Sequence, residues 1–324
     1  MPILPSTYQA PPGLANAHLQ SILPTLLRRV SIDFTRQVLE LDDGDFLDLD
    51  WNANGNERLV ILSHGLEGST QSPYIRGAAN YFAEQQWDVL AWNFRGCGGS
   101  PNRLPRFYHS GSSDDLEAVV QHAVTSGRYR SIVLLGYSMG GNQTLLYLSR
   151  HKVPKEVKAG VAFSVPCDLT SCADQLAKPA NRVYMSRFIR GLKDKILHKA
   201  SVFPDLVDAS NFQDIASFHD FDERYTAPLH GFRDRFDYWE TCSSGRYLKH
   251  LQRPALLVNA VDDPFLTPLC FPAQEAEHNP LLYLEMPEHG GHVGFIQYRI
   301  NAPLWTDRRA LNFVSEHLQN NPEE

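Results

Sequence analysis

Four short runs, "RLVILS" (58–63), "WDVLAWN" (87–93), "SIVLLG" (131–136) and "KAGVAFSV" (158–165), are nearly continuous in Val, Ile, Leu and aromatic residues. Helix-length stretches separate them, and the spacing predicts helices over 74–86, 114–126 and 139–150. Strands apolar on both faces and alternating with helices belong to a parallel sheet covered on both sides. Ahead of them, "RQVLELDDGDFLDLDW" gives two alternating runs joined at Asp43-Gly44, a β-hairpin. Its acids (Asp42, Asp43, Asp45, Asp48, Asp50) lack the spacing and closing Glu of a calcium loop and read as turn and solvent-face residues. From 167 to about 248 no strand pattern appears, and the segment reads as helical. The rhythm resumes at "PALLVNA" (254–260), with a helix near 269–277, "LLYLEM" (281–286) and a final helix near 305–318.

The expectation is therefore an α/β chain with a mostly parallel eight-stranded sheet and helices on both faces. Residues 31–166 and 249–324 form the core. Residues 167–248 form a helical cap or lid over the C-terminal edge of the sheet, where open α/β folds bind ligands. Residues 1–30, Pro-rich and then weakly helical, form an extension packed on the core, with the helix "ANAHLQSIL" ending at Pro24.

Composition narrows the partners. A net charge of −7 argues against a nucleic-acid surface, which needs a clustered basic excess. Five scattered cysteines without a CxxC pair favour free thiols in a reducing compartment. The first residues show no basic-then-apolar signal, and no apolar run reaches the ~20 residues of a membrane helix. A cytoplasmic protein acting on a small molecule is expected, with no metal or cofactor.

Gly136-Tyr137-Ser138-Met139-Gly140 is a G-x-S-x-G set between a strand and a helix. Such a turn lifts the serine hydroxyl to the top of the sheet, and its small residues let neighbouring elements approach. Serine needs a base, and the base an orienting carboxylate, in the chain order Ser, acid, His. The first acids just beyond a later strand are Asp262 and Asp263, in "LLVNAVDDPFLTP". The loop after the last strand, "PEHGGHVGF", supplies His289 and His292. His292 follows two glycines that give the loop freedom to carry an imidazole back over the serine, so it is the expected base. His289 reads as a loop-shaping residue. An H-x-x-H broken by Gly-Gly does not present two rings on one helix face, which disfavours a metal pair.

Two further histidines stand beside this pattern. His64-Gly65, at the end of a strand, resembles the HG turn of esterases and lipases. It places two oxyanion donors, the backbone amides of Leu66 and Met139, and gives His64 a loop-bonding role. His109 and Asp114 have the H-x4-D spacing of some glycerolipid acyltransferases, but Ser112, Ser113 and Asp114 also suit the start of the following helix. In the helical segment, Phe188, Phe232, Tyr238 and Trp239 are candidates either to line a pocket or to pack the insertion.

The segments "AHLQSILPTLLRR", "SHGLEGSTQSPYIRG", "NFRGCGGSPNRLPRFYHSG", "GYSMGGN", "NAVDDPF" and "EHGGHVGF" resemble the α/β-hydrolase superfamily. More narrowly, the chain is similar to the YheT-like branch, related to embryogenesis-associated plant proteins and animal α/β-hydrolase-domain lipases. The resemblance implies the α/β-hydrolase fold and a serine hydrolase of carboxylic esters, of short to medium acyl length or lipids. It places the acid three residues beyond the small residue that closes the strand, Ala260, which selects Asp263. It thus implies a triad of Ser138, Asp263 and His292. Acyl transfer by the same triad and a catalytically silent binding protein are the competing readings.

Overall fold

The computed structural model describes residues 3–319, with the backbone alone at Gln319. Among the described residues, nine strands form one sheet: β1 (Ile3–Leu4), β2 (Thr35–Glu40), β3 (Phe46–Asn52), β4 (Arg58–Ser63), β5 (Asp88–Asn93), β6 (Ser131–Tyr137), β7 (Val157–Phe163), β8 (Ala255–Val258) and β9 (Leu282–Glu285). Their order is β1-β9-β8-β7-β6-β4-β5-β3-β2, and every pairing is parallel except β2 with β3 and β3 with β5. The mostly parallel α/β sheet is as expected, but it has one strand more than the eight read from sequence. The addition is β1, whose two residues pair with Leu284 and Glu285 at the sheet edge. A two-residue strand carries no periodicity to read.

The apolar runs bury both faces because successive side chains point to opposite sides. In β4, Leu59 and Ile61 enter the core beneath α3 (Ser113–Thr125) and α4 (Met139–Arg150). Val60 and Leu62 enter the other, beneath α2 (Pro73–Glu84) and the final helix Trp305–Gln319. Between β7 and β8 the regular structure is all helical, with α5 (Leu169–Ala177), α6 (Arg182–Val202) and shorter helices to His250 joined by loops.

Three local expectations are corrected. The helix α1 (Ala17–Leu27) does not stop at Pro24 but runs through it, because the Pro24 carbonyl still accepts from Arg28 N and Gln20 and Pro24 are both buried against the core. The helix expected over 269–277 is split at Pro272 into a 3-10 turn Pro268–Cys270 and a short helix Ala273–His278. The hairpin acids are not all on a solvent face: Asp45, Asp48 and Asp50 are buried. Arg95 binds Asp43 and Asp45 (2.6 and 3.1 Å) and Asp115 of α3 (2.7 Å), and Arg36 binds Asp50 at 2.5 Å. Burial would raise the Asp45 carboxyl, but hydrogen bonds from Asn102 and from the Arg103 and Phe46 amides hold it below the usual range. These acids pin the loop 94–112, which carries Phe107–Ser110 toward the centre of the molecule.

Candidate active site

All the residues singled out for chemistry follow the C-terminal ends of strands, at one edge of the sheet. Ser138 lies between β6 and α4 at φ 53° and ψ −119°, a backbone conformation unusual for a residue with a side chain. The turn closes because Gly136 and Gly140 lack side chains. A Cβ on Gly136 would collide with the Gly140 carbonyl, and one on Gly140 with the carbonyls of Ser63 and His64.

His292 Nε2 lies 2.9 Å from Ser138 Oγ, and His292 Nδ1 lies 2.9 and 3.1 Å from the two oxygens of Asp263. The Asp263 side chain is fully buried and accepts a further hydrogen bond from Phe265 N at 2.9 Å. The Phe265 ring covers the imidazole, with centroids 4.1 Å apart. With Nδ1–H donating to the carboxylate, Nε2 is left to accept from the serine hydroxyl.

Asp262 turns the other way. It accepts from Gly291 N at 2.9 Å, and His289 Nδ1 lies 3.2 Å from its second oxygen. The adjacent aspartates thus divide the work, one on the histidine ring and one on the backbone of its loop. Gly291, at φ 56°, also permits close approach of α1, because a Cβ there would meet the Ala17 carbonyl.

That approach brings in residues that sequence reasoning missed. Ser21 Oγ donates to Ala17 O at 2.7 Å and accepts from His292 N at 2.8 Å. Gln20 Oε1 accepts from Ile296 N at 2.7 Å, and Ser164 Oγ accepts from Val293 N at 2.9 Å. In the sequence, "HLQS" shows Gln20 and Ser21 only as polar residues in an otherwise apolar helix, and nothing local names their partners.

Leu66 and Met139 both border the same cavity as Ser138, and among the described residues neither amide donates a hydrogen bond within the protein. The Leu66 loop is held from three sides. Tyr74 OH accepts from Gly65 N at 2.9 Å, and Tyr108 OH accepts from Glu67 N at 3.2 Å. Lys195 of α6 binds the Glu67 carboxylate at 3.1 and 3.2 Å. His64 is fully buried; Nδ1–H donates to Gly65 O (2.7 Å) and Nε2 accepts from Phe94 N (3.1 Å). Burial pushes its pKa down to about 3, so it is a neutral bonding group with both nitrogens committed.

His109 and Asp114 are not brought together. The Asp114 side chain is 94% exposed and lies 3.5 Å from His151, whereas His109 faces the cavity and accepts from Gly111 N at 3.1 Å. Burial and then the neighbouring His230 hold His109 well below the ordinary imidazole range.

The cavity beside Ser138 encloses about 100 Å³ and is mostly apolar, bordered by Leu66, Phe107, Leu176, Phe188, Tyr238 and Trp239 among others. Phe188, Tyr238 and Trp239 thus line it, whereas Phe232 packs behind against His109 and Tyr238, at 5.5 and 5.3 Å between centroids. A second groove reaches Ser138 and His292 from the side of α1, past Ile22, Leu26 and Arg187. No cluster of three or more metal-ligating side chains occurs among the described residues.

The strand order, the serine turn and the histidine loop define an α/β-hydrolase architecture, and the chain belongs to that family: a family model described as "alpha/beta hydrolase fold" matches residues 58–297. Within it the chain is YheT-like. It is 34% identical over 317 residues to the YheT protein of Escherichia coli (strain K12), provisionally named an esterase, covering 95% of this chain and 92% of that one. It is 27% identical to phospholipase ABHD3 of Bos taurus, covering 91% of this chain and 75% of the relative. The solved structure of an esterase from Pyrococcus furiosus matches with a TM-score of 0.60 at 19% identity, covering 90% of this chain and 96% of the other, which bears on the fold.

Proposed function

We propose that this protein is a serine hydrolase that cleaves carboxylic esters of short to medium acyl length through an acyl-enzyme. The observation that carries the reading is the unbroken hydrogen-bonded series Asp263–His292–Ser138 at the mouth of an apolar cavity. Ser138 Oγ attacks the ester carbonyl as His292 Nε2 takes its proton, while Asp263 keeps the imidazole oriented and offsets its positive charge. The amides of Leu66 and Met139, free of protein acceptors, receive the oxyanion, and the N-terminus of α4 adds its dipole. Collapse expels the alcohol, protonated by His292, and leaves the acyl group on Ser138. Water activated by His292 then releases the acid.

The segment 167–248 acts as a cap, closing the acyl cavity with Leu176, Phe188, Tyr238 and Trp239, while the groove beside α1 takes the alcohol. The esterase and phospholipase names of the relatives agree with this reaction class. All five cysteines are free thiols, which suits a cytoplasmic setting, and no described helix is long and apolar enough to cross a membrane. The test is labelling by a fluorophosphonate probe together with turnover of a panel of acyl esters. Both are expected in the native protein and both should vanish in Ser138→Ala; surviving turnover in that variant contradicts the reading.

A further inference from the structure

Asp222 is a buried acid that the hydrolysis of a simple ester does not use. It opens a π-helical turn, Asp222–Thr226, an uncommon backbone form often found at functional sites. It borders the same cavity as Ser138 and His292, in a wall that also holds Phe218, Phe221, Thr226, Tyr238 and Trp239. One carboxyl oxygen accepts from Thr226 Oγ1 at 2.6 Å and the other from Trp239 Nε1 at 2.8 Å. Neither partner is charged, and among the described residues Asp222 has no ion-pair partner. Burial raises its pKa to about 6, against the opposing effect of those two hydrogen bonds.

A carboxylate offers about four acceptor positions, so two remain beyond those taken by Thr226 and Trp239. A buried acid without a cation costs stability that an apolar or amide side chain would avoid. Such a group bordering a ligand cavity is a candidate recognition element. What it lacks is a donor for those two remaining positions, and the space beside it is where the acyl chain would lie.

We propose that Asp222 reads the acyl group: the cavity takes acyl chains bearing a hydrogen-bond donor, a hydroxyl or an amine, on the part of the chain remote from the ester. This rests on the acyl-enzyme reading above. Sites that bond a substrate donor reject the analogue lacking it far more strongly than an apolar pocket rejects a change of one methylene.

The experiment compares matched nitrophenyl esters over a series of acyl lengths, each as the plain chain, the terminal hydroxyl and the terminal amine. At one or more lengths a donor-bearing ester should exceed its plain counterpart at least about tenfold in kcat/KM, and the hydroxyl and amine arms show which donor is taken. Asp222→Asn and Asp222→Leu should each erase that preference while fluorophosphonate labelling of Ser138 persists. A native protein that labels but shows no donor preference at any length overturns the proposal by itself, whether or not the variants fold. A preference that persists in both variants also overturns it. A native protein that does not label removes the hydrolase reading, and this one with it.

Discussion

At the scale of single residues, the division between Asp262 and Asp263 gives the sharpest contrast. Asp263 meets the imidazole with both oxygens, whereas Asp262 holds Gly291 N and His289. Asp263→Asn should lower kcat by about four orders of magnitude, since an amide favours the wrong imidazole tautomer. His292→Ala should remove turnover and His289→Ala leave most of it, as steady-state kinetics on one ester will show. Ser21→Ala removes one hydrogen bond to the histidine loop and should cost about fivefold in kcat at nearly unchanged KM. The sequence already carried Ser138, in its strand–helix turn, and His292, in its glycine pair. Ser21 was illegible because its partner lies 271 positions away, and neither residue type nor local pattern encodes that meeting. Asp222 was hidden for a like reason: it looks like any acid in a helical segment until the fold buries it.

Among elements, α6 does more than roof the cavity. Gly191 lets it approach the Glu67 loop, since a Cβ there would strike the Glu67 carboxylate, and Lys195 pairs with that carboxylate beside Leu66. Glu67 itself sits at φ 52°, so its loop is held in a conformation that a free chain would leave. Lys195→Met should therefore lower kcat more than it raises KM, by loosening the proposed oxyanion donor Leu66, and Lys195→Arg should recover most of the loss. An equal change in both constants would make Lys195 a general cap contact instead. The parallel strands and flanking helices were readable because their apolar runs are long and two-sided. The course of α1 through Pro24 was not, because the burial that holds that helix depends on the core beneath it.

Across the whole molecule, charge and burial set the response to acid. His64 and His230 are each depressed from 6.5 to about 3, chiefly by burial, and His109 is lowered in the same direction. The unfolded chain binds protons on these rings below about pH 6.5 while the folded protein does not. His64 and His230 therefore each cost about 1.4 kcal/mol per pH unit as pH falls from there toward about 3, and His109 acts in the same direction. Asp222, raised to about 6, acts oppositely by taking up its proton first in the folded state, and offsets one ring over part of that window. The melting temperature should thus fall between about pH 7 and pH 5, and a level profile would contradict the burial assigned to these rings. The buried pair Arg28–Asp307, at 2.6 Å, ties the N-terminal segment to the final helix, so Arg28→Met leaves an unpaired buried acid and should destabilise by about 3 kcal/mol in denaturant melts.

If an acyl group passes through Ser138, rapid-quench mass spectrometry during turnover of a nitrophenyl ester should capture it there. A transient acyl adduct is expected on the peptide containing Ser138, formed in the native protein and absent in His292→Ala. Steady turnover with no adduct on that peptide under any quench time, or an adduct on another residue, would contradict it.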